Sequence, residues 1–237
     1  MSLARTLSLV VLAGLLAARP AVAQTDHNAH AWLDYFGDHP LGASRFEAHL
    51  EAQVRRAELG ASGQQLLLRP GVNYQLRPRV SLTGGYGFVE TYPYGDYPVA
   101  RRFPEHRLFE QVQVTPHGWG LDWQNRFRLE QRHIGGAAAR YENRFRYMLR
   151  TNVPVGHGGR YYLSLYDEVF YNFGAAVAEN TFDQNRAAVM VGRSLTKSNR
   201  FEVGFMEQTL QHRDGRVMEH NHTLQVALYS RVPFGPR

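Results

Sequence analysis

The side chains that could carry chemistry in this 237-residue chain are its serines, its carboxylates and its histidines. An acyl hydrolase needs a nucleophile with a neighbouring base, but no histidine stands two residues before a serine. Asp167 and Glu168 are adjacent carboxylates. Because adjacent residues of a strand point to opposite faces, these two cannot form a glycosidase pair. The sequence therefore predicts no catalytic residues.

Metal chemistry is also weakly indicated. His220 and His222 share one face of a predicted strand, as two metal ligands can, but no third ligand is evident beside them. Asp26, His27 and His30 stand near the predicted mature N-terminus, where we expect solvated side chains. The chain has no cysteine, which excludes disulfides and Cys-ligated metals. We predict no metal and no other cofactor.

Arginines and glutamates form the most regular pattern, in the stretch from Trp119 to Arg150. They alternate there with apolar residues, and successive side chains on a strand point to opposite faces. We therefore predict an antiparallel pair of strands, 119–132 and 140–150, with one charged and one apolar face. The charged face comprises Arg126, Arg128, Glu130, Arg132, Arg140, Glu142, Arg144 and Arg146. The apolar face comprises Trp123, Phe127, Leu129, Phe145, Tyr147 and Leu149.

The charges restrict the register of this pair. If Arg128 lay opposite Arg144, then Glu130 would lie opposite Glu142, and like charges directly opposite each other are destabilising. A shift of two residues in either direction places Glu130 opposite Arg140 or opposite Arg144. We predict one of these two registers, with each glutamate against an arginine.

The same alternation recurs along the chain and predicts ten strands: 43–57, 63–76, 79–91, 105–114, 119–132, 140–150, 160–173, 181–195, 200–212 and 218–229. If residues 30–36 also form a strand, the count becomes eleven and a twelfth is needed. Short connections at 77–78, 115–118 and 196–199 alternate with longer ones at 92–104, 133–139 and 174–180. Such alternation is typical of outer-membrane barrels, although 152–159 is longer than expected for a periplasmic turn.

Both a soluble and a membrane barrel could show this pattern. A small soluble barrel would bury the unpaired arginines at a cost of several kcal/mol each. A membrane barrel turns its apolar face to lipid and its charged face to a polar interior. We therefore predict an all-β, antiparallel up-and-down transmembrane β-barrel of about ten strands, or of twelve. Outer-membrane lipid is its expected partner.

The N-terminus carries an export signal. Arg5 precedes an apolar run at 7–17, and Ala21-Val22-Ala23 provides a cleavage site before Gln24. We predict a signal peptide at 1–23, a lead-in or short strand at 24–42, and the barrel at 43–237, located in a bacterial outer membrane. The net charge of +6 does not indicate nucleic acid, since the arginines alternate with apolar residues and the chain is exported.

The loop 92–104 is a second candidate site, for binding at the outer end of the barrel. It is aromatic, proline-rich and basic, and its candidate residues are Tyr92, Tyr94, Tyr97, Arg101, Arg102 and Phe103. Aromatic residues supply contact area at low entropy cost, and loops on a rigid barrel often bind. The alternative is that the loop only folds over the barrel mouth.

Several stretches together resemble one bacterial family. They are QQLLLRPGVNYQLRP (64–78), SLTGGYGF (81–88), PEHRLFEQ (104–111), NRFRLEQR (125–132), YENRFRYMLR (141–150), DEVFYNFG (167–174), FDQNR (182–186) and EVGFMEQ (202–208). The chain is similar to the domain-of-unknown-function 2490 family, of the outer-membrane β-barrel type. The resemblance implies fold and location, and it supplies no activity. The ending Phe234-Gly235-Pro236-Arg237 departs from the usual terminal aromatic of such barrels.

Three functions remain open. A barrel of this size is expected to be largely filled by its own side chains, which favours a structural or ligand-binding role, with a small anionic molecule as the candidate ligand. A narrow anion-preferring pore, with the arginines as its wall, is the alternative. A lipid-active outer-membrane hydrolase is the least favoured.

Overall fold

The computed structural model describes residues 24–95, 101–137, 139–156 and 158–235, so the predicted signal peptide lies outside the described residues. The strands are β1 (Gln24–Pro40), β2 (Phe46–Ala57), β3 (Ser62–Arg77), β4 (Val80–Thr91), β5 (Phe103–Val114), β6 (His117–Gly118), β7 (Leu121–Ile134), β8 (Arg140–Val155), β9 (Tyr161–Phe173), β10 (Phe182–Ser194), β11 (Asn199–Gln211) and β12 (Val217–Ser230). A short 3-10 helix spans Glu58–Gly60. In these ranges, no helix is long and apolar enough to cross a membrane.

Eleven of these strands form a closed barrel, and the short β6 pairs only with β7 among the described strands. Each barrel strand is antiparallel to its neighbour except at one place, where β1 pairs with β12 in parallel. The predicted all-β barrel is confirmed, but the number of barrel strands is eleven, neither ten nor twelve. Because direction alternates from strand to strand, the first and the eleventh run the same way, and the barrel closes without a twelfth. We call the β1–β12 pair the closing seam.

The closing seam depends on residues 24–40, which we expected to be a lead-in or a short strand. They form a strand of 17 residues that pairs with β2 on one side and β12 on the other. The pattern of this segment is weak because its inward residues are mixed in character: Trp32 is apolar, whereas His30 and Asp34 are polar, and all three are buried.

The barrel has two distinct ends. One end carries the turns 41–45, 78–79, 115–120, 156–160 and 195–198, and we call it the turn end. The other carries the connections 58–61, 92–102, 135–139, 174–181 and 212–216, and we call it the loop end. The last strand, β12, begins at the loop end and finishes at the turn end.

Burial in the wall is the reverse of that in a water-soluble sheet. In β2 the buried residues are Glu47, His49, Glu51, Gln53 and Arg55, together with Ala57 at the loop end. The outward face carries large apolar side chains, including Leu33 (55% exposed) and Phe205 (53% exposed). Among the described residues, the buried side chains are mostly polar or charged and the exposed ones include many large apolar residues. The charged side of the sheet therefore faces inward.

Some polar residues on the outer face form hydrogen bonds with one another. Gln131 donates a hydrogen bond of 3.0 Å to Glu110, and Asn185 donates one of 3.0 Å to Asp167. Pairing of this kind lowers the cost of placing a polar side chain against an apolar surrounding.

Candidate functional site

The β7–β8 pair sets the register of the charged lumen. Arg128 lies opposite Arg146, Glu130 opposite Arg144, and Arg132 opposite Glu142. This is one of the two registers predicted from the charges, and both glutamates lie against an arginine, so the predicted register is confirmed. One like-charge pair, Arg128 with Arg146, remains in this register.

Carboxylates from other strands separate those two arginines. Arg128 donates from Nη2 to Glu51 of β2 at 2.5 Å, and Arg146 donates from Nη2 to Glu168 of β9 at 2.8 Å. Glu168 also accepts a hydrogen bond of 2.8 Å from Arg126. The charges of Arg128 and Arg146 are therefore neutralised by carboxylates of β2 and β9.

Glu130 is the centre of the charge network. Its side chain is 0% exposed, and it accepts hydrogen bonds from Arg144 (2.6 Å from Nη2) and Arg146 (2.6 Å from Nη1). The guanidinium groups of Arg69 and Arg107 lie 3.6 and 3.8 Å from its oxygens. One carboxylate thus faces four arginines from three strands, and each of these arginines also pairs with a second carboxylate.

The remaining predicted charged residues lie nearer the loop end. Arg132 donates from Nε to Glu105 at 2.6 Å, and Arg140 donates from Nε to Glu142 at 2.5 Å. Arg107 donates to the same Glu105 oxygen at 2.6 Å. All eight residues of the predicted charged face therefore lie on the inner side of the wall, where they form ion pairs.

A layer of stacked side chains divides the lumen. The guanidinium carbon of Arg55 lies 3.8 Å from the ring centre of Trp32, and that of Arg186 lies 4.9 Å from it. Arg146 and Arg186 also lie over the ring of Phe170, at 4.5 and 4.7 Å. Trp32 packs in a cluster with small and flexible side chains of β10, β11 and β12: Ala188, Met190, Met206 and Ala227.

Two cavities flank this layer. The one toward the turn end has a volume of about 260 Å³, and the one toward the loop end about 120 Å³. Trp32, Arg69, Arg146 and Arg186 line both cavities and so stand between them.

The larger cavity has an excess of positive charge. Its lining includes the arginines Arg69, Arg126, Arg128, Arg146, Arg150, Arg186, Arg200 and Arg231. Its carboxylates are Asp34, Asp38, Glu47, Glu51 and Glu168, three fewer than the arginines. Neither Arg186 nor Arg200 forms an ion pair with a described residue, and within the same described ranges Nε of Arg126 has no hydrogen-bond partner.

A family model described as a protein of unknown function, DUF2490, matches residues 29–219. The chain belongs to this family. No curated protein matches it. The DUF2490 description states no activity, so any function for this member must be argued from the geometry of its barrel.

The candidate loop of this DUF2490 member folds back on the barrel mouth in its described part. Tyr94 stacks edge-on against His30, with ring centres 5.5 Å apart, and it lines the smaller cavity with Phe103. Burial raises the pKa of the Tyr94 hydroxyl above its usual value. Arg102 lies 5.1 Å over Tyr92 and donates to Glu90 at 2.5 Å, and this hydrogen bond raises the pKa of Arg102.

The remaining candidate loop residues are Arg101 and Tyr97. Arg101 is exposed, and Tyr97 lies outside the described residues. Tyr94 and Phe103 line the smaller cavity and Arg102 is bonded to Glu90 of β4, which is the position expected of a cover over the mouth.

We expected Asp26, His27 and His30 to be solvated, and this expectation is wrong for Asp26 and His30. Asp26 is buried, and His30 is 0% exposed and bonds Asn221 of β12 at 2.8 Å. The reason is that β1 is part of the wall, which turns these side chains into the lumen. His27 faces outward, where its Nδ1 lies 3.3 Å from Nε2 of His222.

The alternation already places Glu51 and Arg55 on the polar face of their strand, but the site residues chosen from the sequence include neither of them, nor Arg69 and Arg186. In β2 the buried polar residues all have odd numbers, so the alternation places them on one face of the strand. Parity identifies the face of a strand, but it does not say which residues meet across the lumen. In the part of the chain that the structure describes, no group of three or more histidines and carboxylates is arranged to hold a metal ion.

Proposed function

We propose that this protein is an integral β-barrel of the bacterial outer membrane, that its lumen is closed by its own side chains, and that it binds a small anionic molecule in the larger cavity. The reversed burial of the wall supports the location, because apolar residues facing out and charged residues facing in are the pattern of membrane barrels. In water the same surface would expose far more contiguous apolar area than soluble monomers usually do.

The orientation follows from the two barrel ends. Outer-membrane barrels have shorter turns on the periplasmic side and longer loops outside. The turn end is then periplasmic, and the larger cavity lies toward the periplasm. Fractionation tests the location: the protein should sediment with outer membranes and migrate differently on gels before and after heating. Recovery in the soluble periplasmic fraction would overturn this part of the proposal.

The excess of arginines in the larger cavity is the observation that carries the ligand-binding function. Arginine forms planar, charge-assisted hydrogen bonds with phosphate and carboxylate groups. A volume of about 260 Å³ is below the range that holds drug-sized ligands. The ligand class is therefore a small organic or inorganic anion.

Binding of inorganic phosphate to the purified barrel in detergent tests this function. We expect phosphate to raise the unfolding temperature above that in chloride of equal ionic strength. Arg200→Gln, which removes an arginine without a carboxylate partner, should reduce that rise. Arg193→Gln is the matched control, because Arg193 lies on the neighbouring strand, faces outward and stacks on Tyr161. An equal response of both variants would contradict the proposal.

The arginine-rich lumen keeps the narrow anion-preferring pore as the second candidate. The layer formed by Trp32, Arg55 and Arg186 argues for a closed lumen, since it separates the two cavities. In planar bilayers we expect no reproducible conductance steps from the unmodified protein. Trp32→Ala should produce steps, because it removes the largest side chain of the layer. Anion-selective steps from the unmodified protein would support the pore.

A further inference from the structure

The outer face of the closing seam carries a cluster of three histidines and a glutamate. His27 of β1 lies directly beside His220 of β12, and His222 follows two residues further along β12. Glu207 of β11 lies opposite His222. These side chains point away from the lumen near the loop end; that of His222 is 46% exposed and that of Glu207 31%. They are separate from the lumen cavities described above.

The ring nitrogens of two of these histidines face each other. Nδ1 of His27 lies 3.3 Å from Nε2 of His222. Two nitrogens bound to one tetrahedral zinc ion, each at about 2.0–2.1 Å, lie roughly 3.3–3.4 Å apart. The pair therefore already has the spacing of two ligands on a single ion.

The other nitrogen of His222 is held by a carboxylate. Nδ1 of His222 donates to Oε2 of Glu207 at 2.7 Å, which leaves the lone pair of Nε2 directed toward His27. Histidine ligands of metal ions commonly donate their second N–H to a carboxylate, which fixes the tautomer and raises the basicity of the ligand nitrogen. Glu207 also lies 3.3 Å from His220, whose ring stacks on that of His27 at 5.3 Å.

We propose that His27 and His222 form a binding site for a divalent transition-metal ion such as Zn²⁺, with Glu207 as the positioning residue behind His222. Two protein nitrogens leave coordination positions for water, so the site is open. A cation fits this cluster better than an anionic lipid headgroup, because the Glu207 carboxylate would repel an anion. Imidazole ligands suit Zn²⁺, Cu²⁺ and Ni²⁺, and the geometry does not favour one of these over the others.

The position of the site gives it a structural consequence. His27 belongs to β1 and His222 to β12, the two strands whose parallel pairing closes the barrel. The two residues are 195 positions apart in the chain and meet only when the barrel is closed. An ion held by both therefore binds the closed barrel and not the open chain, and it stabilises the closed form by mass action.

Titration of zinc chloride into the chelator-treated barrel in detergent at neutral pH tests the proposal. By calorimetry we expect one zinc ion per barrel. His27→Ala and His222→Ala should each weaken binding by about tenfold or more, and Glu207→Gln by about tenfold, since carboxylates behind ligand histidines typically have effects of this size. His106→Ala is the matched control, because His106 also faces outward near the same end, where it lies opposite His133 of β7 and its Nδ1 contacts the Tyr86 hydroxyl and not a second histidine nitrogen.

A second readout separates binding from adventitious contact with scattered histidines. Zinc should raise the unfolding temperature of the unmodified barrel and of His106→Ala, and it should leave that of His27→Ala unchanged. If His27→Ala does not fold, His27→Gln provides the same comparison with a polar side chain retained. Absence of zinc binding by the unmodified barrel would overturn the proposal and leave a hydrogen-bonded histidine pair. Equal zinc affinity of His27→Ala, His222→Ala and His106→Ala would also overturn it.

Discussion

The β7–β8 hairpin and the closing seam are both pairs of neighbouring strands in one wall, but different forces hold them together. Across the hairpin the inward side chains are charged and opposite in sign, as with Glu130 and Arg144. Across the closing seam the inward side chains are mixed, and the hydrogen bonds between them involve amides, a histidine and a carboxylate. His30 bonds Asn221 at 2.8 Å, and Gln225 donates to Asp34 at 2.6 Å.

This difference follows from how far apart the partners are in the chain. The hairpin strands are joined by a short connection, so only a few registers compete, and charge repulsion between them removes the wrong ones. The strands of the closing seam are almost the whole chain apart, and the hairpins between them determine where they meet. The seam needs side chains that satisfy each other after closure, and hydrogen bonds with at least one neutral partner do this with fewer charged groups than the ion pairs of the hairpin.

The largest expected effect is the loss of the central hairpin carboxylate. Glu130→Gln leaves Arg144, Arg146 and their neighbours with uncompensated buried charge, and we expect a loss of about 3–5 kcal/mol in the free energy of unfolding. Urea unfolding of the folded barrel in detergent or vesicles measures it. Glu110→Gln on β5 is the control, since Glu110 faces outward and, among the described side chains, bonds only Gln131. Equal losses in the two variants would show that the charge network does not hold the hairpin.

The next largest effect on stability is expected from a disulfide bond across the closing seam. Leu33 of β1 and Val226 of β12 are direct partners on the outer face, and the chain has no cysteine of its own. Leu33→Cys with Val226→Cys should form a disulfide on oxidation and stabilise the barrel by about 2–4 kcal/mol. Leu33→Cys with Leu228→Cys is the control, because a shift of two residues places the pair beyond disulfide reach. Preferential cross-linking of the control pair would contradict the parallel register.

A neutral hydrogen bond of the seam should contribute less than a charged one of the hairpin. Asn221→Ala leaves His30 buried without its partner, and we expect a loss of about 1–3 kcal/mol in the free energy of unfolding. Asn143→Ala provides the comparison, since Asn143 lies on the outer face of β8 and accepts only from the exposed Tyr141 hydroxyl. A larger loss for Asn221→Ala than for Glu130→Gln would mean that the hydrogen bond of the seam contributes more stability than the charge network of the hairpin.

The smallest effect concerns the loop that packs on the seam. Burial raises the pKa of Tyr94, so the folded barrel keeps this hydroxyl protonated when the unfolded chain ionises it, above about pH 10. The stabilisation is fully present below that pH and is lost as the pH rises further. Tyr94→Phe should therefore lose less stability than the unmodified protein between pH 8 and pH 11, as measured by urea unfolding. Identical pH profiles would mean that Tyr94 is not buried against His30.

The sequence determined which side chains share a face of a strand and restricted how the two strands of the central hairpin align. Period two along 119–150 predicted which side chains share a face, and the signs of the charges reduced the hairpin register to two choices. The family resemblance and the all-β barrel are likewise confirmed. These features are local, because the side-chain period of a strand and the length of a short connection are both properties of consecutive residues.

Only the tertiary structure decided how the barrel closes and what meets inside and outside it. The strand count depends on residues 24–40, whose inward face mixes Trp32 with polar residues and hides the alternation. The stacking of Arg186 on Trp32 joins strands that are distant in sequence, and so does the meeting of His27 with His222. Parity gives the face on which such residues lie. Their partners are fixed by the curvature and register of all eleven strands together, which no single stretch of sequence carries.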